Sequence, residues 1–118
     1  SDRIMPLMFG ETFMSSDAAT QRRQLWRRRL EANTNDIYRA VNGILYRPSI
    51  QSELPNIEVP TLVMHGEQDR AIPIEEGRDL ADSIPSAEFV SVPESGHSMA
   101  IERPELVSET LDDFLDDV

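Results

Sequence analysis

Thr61-Leu62-Val63-Met64-His65-Gly66-Glu67-Gln68-Asp69 decides the fold, together with Ser95-Gly96-His97-Ser98, whose histidine stands 28 residues after that aspartate. The run at 61–65 is apolar, partly β-branched, and bounded by Pro60 and Gly66, the pattern of a buried strand. Pro73 can open a helix, Leu80, Ala81 and Ile84 give it an apolar face, and Pro85 forbids continuation, so the spacing predicts a helix over about 74–84. Glu88 to Val92 predicts a second strand, closed by Pro93. Strand, helix, strand implies parallel pairing through a right-handed crossover.

An eleven-residue helix is about 16 Å long at roughly 1.5 Å per residue, and a five-residue strand spans about the same at roughly 3.3 Å per residue. The helix therefore returns the chain to its starting level, and Asp69 and His97 emerge together at the carboxyl edge of a parallel sheet, where open α/β folds place their chemistry. An imidazole that takes a proton and a carboxylate that orients it are two of the three parts that make a hydroxyl nucleophilic. Taken singly, Asp69 reads as an acceptor for turn amides before Pro73, and His97 as an ordinary loop histidine. Their order and common edge favour the pair. His65, at the end of the first strand, reads as a packed or hydrogen-bonded histidine rather than a second base.

Residues of about 54–118 resemble the C-terminal part of an α/β-hydrolase-fold enzyme. The acid loop of that family is similar to Gly66-Glu67-Gln68-Asp69-Arg70-Ala71-Ile72-Pro73, its histidine loop is similar to Gly96-His97-Ser98, and a last helix follows. In that fold the triad runs nucleophile, acid, histidine, and Asp69 precedes His97. The resemblance implies that His97 shuttles the proton and that Asp69 holds its tautomer and stabilises its charged form. It also implies that the nucleophile elbow and oxyanion-hole loop belong to a first half of the fold that this sequence lacks. The chain is accordingly read as the C-terminal portion of a hydrolase of an ester, lactone or related bond, inactive alone, with a small acyl substrate and the missing N-terminal part as its partners. Gly96-His97-Ser98-Met99-Ala100 also fits a relaxed elbow, but Pro93, Glu94 and Ser95 separate it from the strand, and no histidine lies downstream of Ser98.

The first half reads as helical. Ser15, Ser16 and Asp17 offer a cap to a helix reaching about Asn33 and carrying Leu25, Trp26 and Leu30. Thr34 can cap a second helix, with Ile37, Val41 and Ile44 at helical spacing, ended by Pro48. Two helices here are similar to the family's cap, or lid, which divides the chain into a cap-like segment at 1–53 and a core at 54–118. Met5, Leu7, Met8, Phe9 and Met14 read first as core packing, with an acyl pocket as the alternative. Arg22, Arg23, Arg27, Arg28 and Arg29 suggest a clamp for a carboxylate, yet three consecutive residues point about 100° apart on a helix. At most one or two can face a pocket. Leu7-Met8-Phe9-Gly10 followed by an arginine-rich helix is similar to the 3-oxoadipate enol-lactonase-like branch, which implies an anionic substrate. From Pro104 to Val118 a terminal helix is expected, with Val107, Leu111, Phe114 and Val118 on one face and Asp112, Asp113, Asp116 and Asp117 opposite. Those last acids oppose the helix dipole and predict fraying.

The sequence has 118 residues, of which 39% are hydrophobic, enough for one modest α/β core. The absence of cysteine rules out disulfides, thiolate metal sites and a cysteine nucleophile, and two histidines leave little for zinc. No cofactor is expected, since no glycine-rich phosphate loop is present. No run is long enough to cross a bilayer and no signal peptide is evident, so a cytoplasmic protein away from membranes is expected. The net charge of −11 divides unevenly: residues 1–50 hold eight arginines and five acids, and 51–118 hold three arginines and seventeen acids. Such acidity disfavours nucleic acid. All eleven basic residues are arginine. A strand at 61–65 without its earlier neighbours has an open apolar edge that a second copy can cover, so self-association of the isolated chain is expected, and the alternative to the enzyme reading is a non-catalytic module that self-associates or binds a partner through that edge.

Overall fold

Prolines and glycines set most of the element boundaries. The structure, a computed structural model, describes residues 1–32 and 37–118. Helix α1 (Met5–Met8) carries a proline in its first turn, and helix α2 (Glu11–Ser15) has Glu11 at its favourable, N-terminal end. A 3₁₀ turn, Asp17–Ala19, leads into α3 (Thr20–Ala32), and α4 (Ile37–Leu45) follows. The helix predicted from Ser16 is thus a 3₁₀ turn joined to α3, and Ser16 precedes it without a side-chain capping bond. The predicted end at Asn33, the Thr34 cap and the side chains of Ile37 and Val41 lie outside the described residues. Met5, Phe9, Phe13 and Ala19 are buried together, with Met8, Met14, Trp26 and Ile101 packed around them. The Phe9 and Phe13 rings stack with centroids 4.8 Å apart. Met5, Met8, Phe9 and Met14 therefore pack as core, whereas Leu7 is exposed.

Strand β1 (Thr61–Gly66) follows a short 3₁₀ segment at Gln51–Asn56, helix α5 (Ile74–Asp82) starts directly after Pro73, and strand β2 (Ala87–Val92) closes the crossover. The two strands pair in parallel, with Thr61 opposite Ala87 and Gly66 opposite Val92. Each begins or ends one residue beyond the predicted run, because Gly66 and Ala87 still take part in the ladder. Ala81 on α5 is buried, as is Ile84, which lies two residues past the helix end at Asp82 although the helix was expected to reach about 84, while Leu80 stays exposed beside a groove bordered by Ile44, Pro48, Ile50 and Leu54.

A four-residue helix, α6 (Met99–Glu102), precedes the terminal helix α7 (Pro104–Asp116), which opens on Pro104 as expected. Val107 is buried, but Leu111 and Val118 of the predicted stripe are exposed, and Asp117 and Val118 lie past the helix end. Only the first turns of α7 pack closely, and its last turn gathers carboxylates at the negative end of the dipole.

The accessible surface is 8509 Å², against roughly 6,500 Å² for a compact monomer of this size. Exposed Ile44, Ile50, Val59, Ile72 and Leu80 belong to that excess. Closer packing is found where the loops after β1 and β2 meet. A Cβ on Gly66 would lie 2.2 Å from the carbonyl oxygen of Gly96 and 2.6 Å from that of Ser95, and one on Gly96 would lie 2.4 Å from the amide nitrogen of Gly10. These neighbours are backbone and cannot rotate away. Gly66→Ala should therefore destabilise the fold by about 1–3 kcal/mol. Gly43→Ala, in α4 with nothing within 4 Å of the added carbon, should instead gain about 0.5–1 kcal/mol. Urea unfolding midpoints measure both, and equal midpoints for the two variants would contradict this packing.

Candidate active site

Past the end of β1 the chain turns sharply, and its amides are committed to the neighbouring loop. Glu67 donates to the carbonyl of Val92, Gln68 to that of Ser95 at 2.8 Å, and Asp69 back to Gly66. Asp69 then divides its carboxylate between two tasks. Its Oδ1 accepts from the amides of Ala71 at 2.8 Å and Ile72 at 3.0 Å, and its Oδ2 lies 2.9 Å from Nδ1 of His97. The turn-acceptor role and the imidazole-partner role thus coexist, one on each oxygen.

The two sequence-predicted site residues are brought together across the carboxyl edge of the sheet. The Asp69 side chain is only 4% exposed, that of His97 37%. An ionised carboxylate can only accept, so the imidazole proton sits on Nδ1 and the lone pair on Nε2. Among the described residues Nε2 of His97 has no hydrogen-bond partner. A cavity of about 190 Å³, bordered by Met64, Ile72 and Met99, adjoins the pair.

His65 approaches the same aspartate. Its Nε2 lies 3.1 Å from the Ile72 carbonyl and 3.5 Å from Asp69 Oδ2. Gly77 admits it, since a Cβ there would stand 2.5 Å from Nδ1 of His65. Donation to Ile72 fixes its proton on Nε2, so in the neutral ring His65 helps to hold the acid turn.

Two residues that the sequence did not single out tie the site to the N-terminal segment. Glu102, 5% exposed, accepts from the amide of Gly10 at 2.8 Å and from that of Gly96 at 3.0 Å, one on each oxygen. Burial pushes its carboxyl above the usual glutamate range, the amides of Gly10, Gly96 and Ser98 oppose that shift, and the charge of Asp69 adds to it. Gln68 accepts from the Thr12 amide at 2.9 Å and donates to its hydroxyl at 2.8 Å. The amide of Ser98 donates to Met8 at 2.9 Å. The only local signal for Glu102 was an acid interrupting the apolar run Met99-Ala100-Ile101.

Ser98 lies just before α6, well past the end of β2 at Val92. Glu94 between them takes a left-handed φ of 54°, a conformation uncommon outside glycine. A direct strand-to-helix elbow is therefore absent at this serine. Among the arginines of α3, Arg23 donates to the carbonyl of Phe13 and the hydroxyl of Thr20, Arg22 donates to Ile101, Arg27 pairs with Asp2, and Arg29 stacks on Trp26. Among the described residues no cluster of three or more His, Cys, Asp or Glu could hold a metal ion. No helix there is long and apolar enough to cross a membrane.

Comparison with known proteins bears on the fold. A family model described as alpha/beta hydrolase fold matches residues 1–104. An uncharacterized hydrolase of Bacillus subtilis (strain 168), YugF, is 38% identical over 63 residues, 53% of this chain and 23% of that protein. A second protein of that organism, YisY of the AB hydrolase superfamily, is 29% identical over 106 residues, 89% of this chain and 39% of its own. A thermophilic esterase from Thermogutta terrifontis superposes with a TM-score of 0.84 at 29% identity, covering 98% of this chain and 42% of the esterase. The chain thus spans less than half the length of each of these relatives. On the family match, the strand order and the loop geometry, the chain belongs to the alpha/beta-hydrolase-fold family.

Proposed function

We propose that this chain supplies the acid and the base of a nucleophile–histidine–acid triad that hydrolyses an ester, lactone or related bond of a small acyl substrate. The observation that carries the reading is the 2.9 Å contact between His97 Nδ1 and a nearly buried Asp69 oxygen whose partner oxygen is fixed by two backbone amides. In this mechanism Nε2 of His97 takes the proton of the attacking hydroxyl, and Asp69 stabilises the imidazolium without itself becoming protonated. Collapse of the tetrahedral intermediate returns that proton to the leaving group and leaves an acyl-enzyme. Water, deprotonated by the same imidazole, then releases the acid. We place the nucleophile and oxyanion hole on a part of the fold outside residues 1–118, with residues 1–53 as the cap-like segment and 54–118 as core. That the Thermogutta relative is an esterase supports the ester class, and the family order of acid before histidine supports the roles.

The arginines of α3 lend little to an anionic-substrate clamp, since Arg22, Arg23 and Arg27 already have partners. In a protein that contains the rest of the fold, His97→Ala and Asp69→Asn should each lower kcat on a p-nitrophenyl ester by roughly 10⁴-fold while leaving the protein folded. Undiminished turnover in both variants would overturn the assignment.

A second reading concerns the chain by itself. Among the described residues β1 pairs only with β2, leaving its other edge free, and exposed Ile44, Ile50 and Leu80 border an open groove. The excess accessible surface, about 2,000 Å² by the compact-monomer scaling, is of the order that standard protein interfaces bury. The isolated chain should therefore self-associate through this face. Sedimentation equilibrium should give a mass above that of one chain, and a single monomeric species at high concentration would contradict it.

A further inference from the structure

Among the described residues two polar ones are buried: Ser95 donates to the Val92 carbonyl within its own turn, and Glu102 is left without a task by the triad reading. It reaches neither the cavity beside His97 nor any cation: both oxygens are occupied by backbone amides, one from the N-terminal segment and one from the residue before His97. A buried carboxylate with no cation partner among the described residues is costly to desolvate, and this one stands across a sequence separation of 92 residues from Gly10.

We propose that Glu102 is a positioning residue for His97: by bridging the amides of Gly10 and Gly96 it fixes the histidine loop at the height where Nδ1 meets Asp69. The inference rests on the reading of Asp69 and His97 as the acid–base pair. The geometry supports it from three sides. Gly96 is pressed against the backbone of Phe9 and Gly10 at distances that leave no room for a side chain. Ser98, on the other side of His97, is held by its amide to Met8. Gln68, one residue before Asp69, is held to Thr12 by both ends of its amide. Residues 8–12 are thus a common anchor for the acid loop and the histidine loop, and Glu102 is the side chain that fastens the histidine loop to it. A carboxylate suits this task because it offers an acceptor to each amide, whereas a glutamine would turn a donor toward one of them.

The test is a double-mutant cycle read at His97. With two histidines in the chain, the ring resonances of His97 can be followed by NMR at fixed pH. Asp69→Asn keeps an acceptor for the turn amides and removes the charge beside Nδ1. It should shift the ring resonances of His97 in the otherwise unsubstituted chain, because the acceptor at Nδ1 changes from a carboxylate to an amide. Glu102→Asp keeps the charge but is one methylene too short to reach both amides. In its background, and in Glu102→Gln, the same Asp69→Asn change should move His97 by about half as much or less, because the pair is no longer aligned. An equal shift in Glu102→Asp and in the unsubstituted chain would overturn the positioning role alone. No shift in the unsubstituted chain would overturn the acid–base pair itself. Should Glu102→Gln fail to fold, Glu102→Asp carries the comparison. Hydrogen exchange in the unsubstituted chain provides a check that needs no variant: the amides of Gly10 and Gly96 should exchange slowly and together, and free exchange of either would overturn the bridge.

Discussion

Three strands of backbone meet without side chains between them, at Gly66, Gly96 and Gly10, and the rest of the site depends on that contact. The loop after β1 and the loop after β2 approach within van der Waals limits only because neither carries a Cβ at the crossing. Parallel pairing in register from Thr61 with Ala87 to Gly66 with Val92 delivers both loops to the same level. Once they touch, Asp69 and His97 have little freedom left. One carboxylate oxygen is consumed by the turn, the other faces the imidazole, and the proton on Nδ1 is fixed by what it can donate to. The contact between Asp69 and His97 is therefore set by packing.

The same contact explains how the helical segment and the sheet segment behave as one unit near the site and as two elsewhere. At residues 8–12 the N-terminal segment is bonded to both functional loops through Glu102, Gln68 and Ser98. Away from that point, α4 and the 3₁₀ segment at Gln51–Asn56 border an open groove against α5, with Ile44, Ile50 and Leu80 exposed. Exposed apolar surface of this kind is unfavourable in water. The chain covers 42% of the Thermogutta esterase, and we propose that the same face receives the remaining strands in a longer protein.

Much of the second half was legible in the sequence because prolines and glycines mark its boundaries. Pro60, Gly66, Pro73, Pro85 and Pro93 bracket β1, α5 and β2 almost to the residue, and the element lengths alone predict that Asp69 and His97 share an edge. The first half was less legible. α1 and α2 are four and five residues long, too short to display a helical period, and α6 is no longer. The stripe on α7 was visible but its burial was not, because burial depends on a neighbour that local periodicity does not specify. Glu102 and Gln68 escaped for the same reason: their partners lie 92 and 56 residues away, and nothing in the composition of either stretch announces a contact at that range. His65 was half legible, since its place at a strand end was clear, while its approach to Asp69 depends on the turn at Ile72.

The central claim is that His97, oriented by Asp69, activates a nucleophile carried on another part of the fold. Fluorophosphonate labelling of a protein that includes that part, with mapping of the adduct and comparison with His97→Ala, tests it most directly. A single adduct is expected on a serine outside residues 1–118, forming at least roughly 10³-fold more slowly in the variant. An adduct on Ser98, or a labelling rate unchanged by His97→Ala, would contradict it.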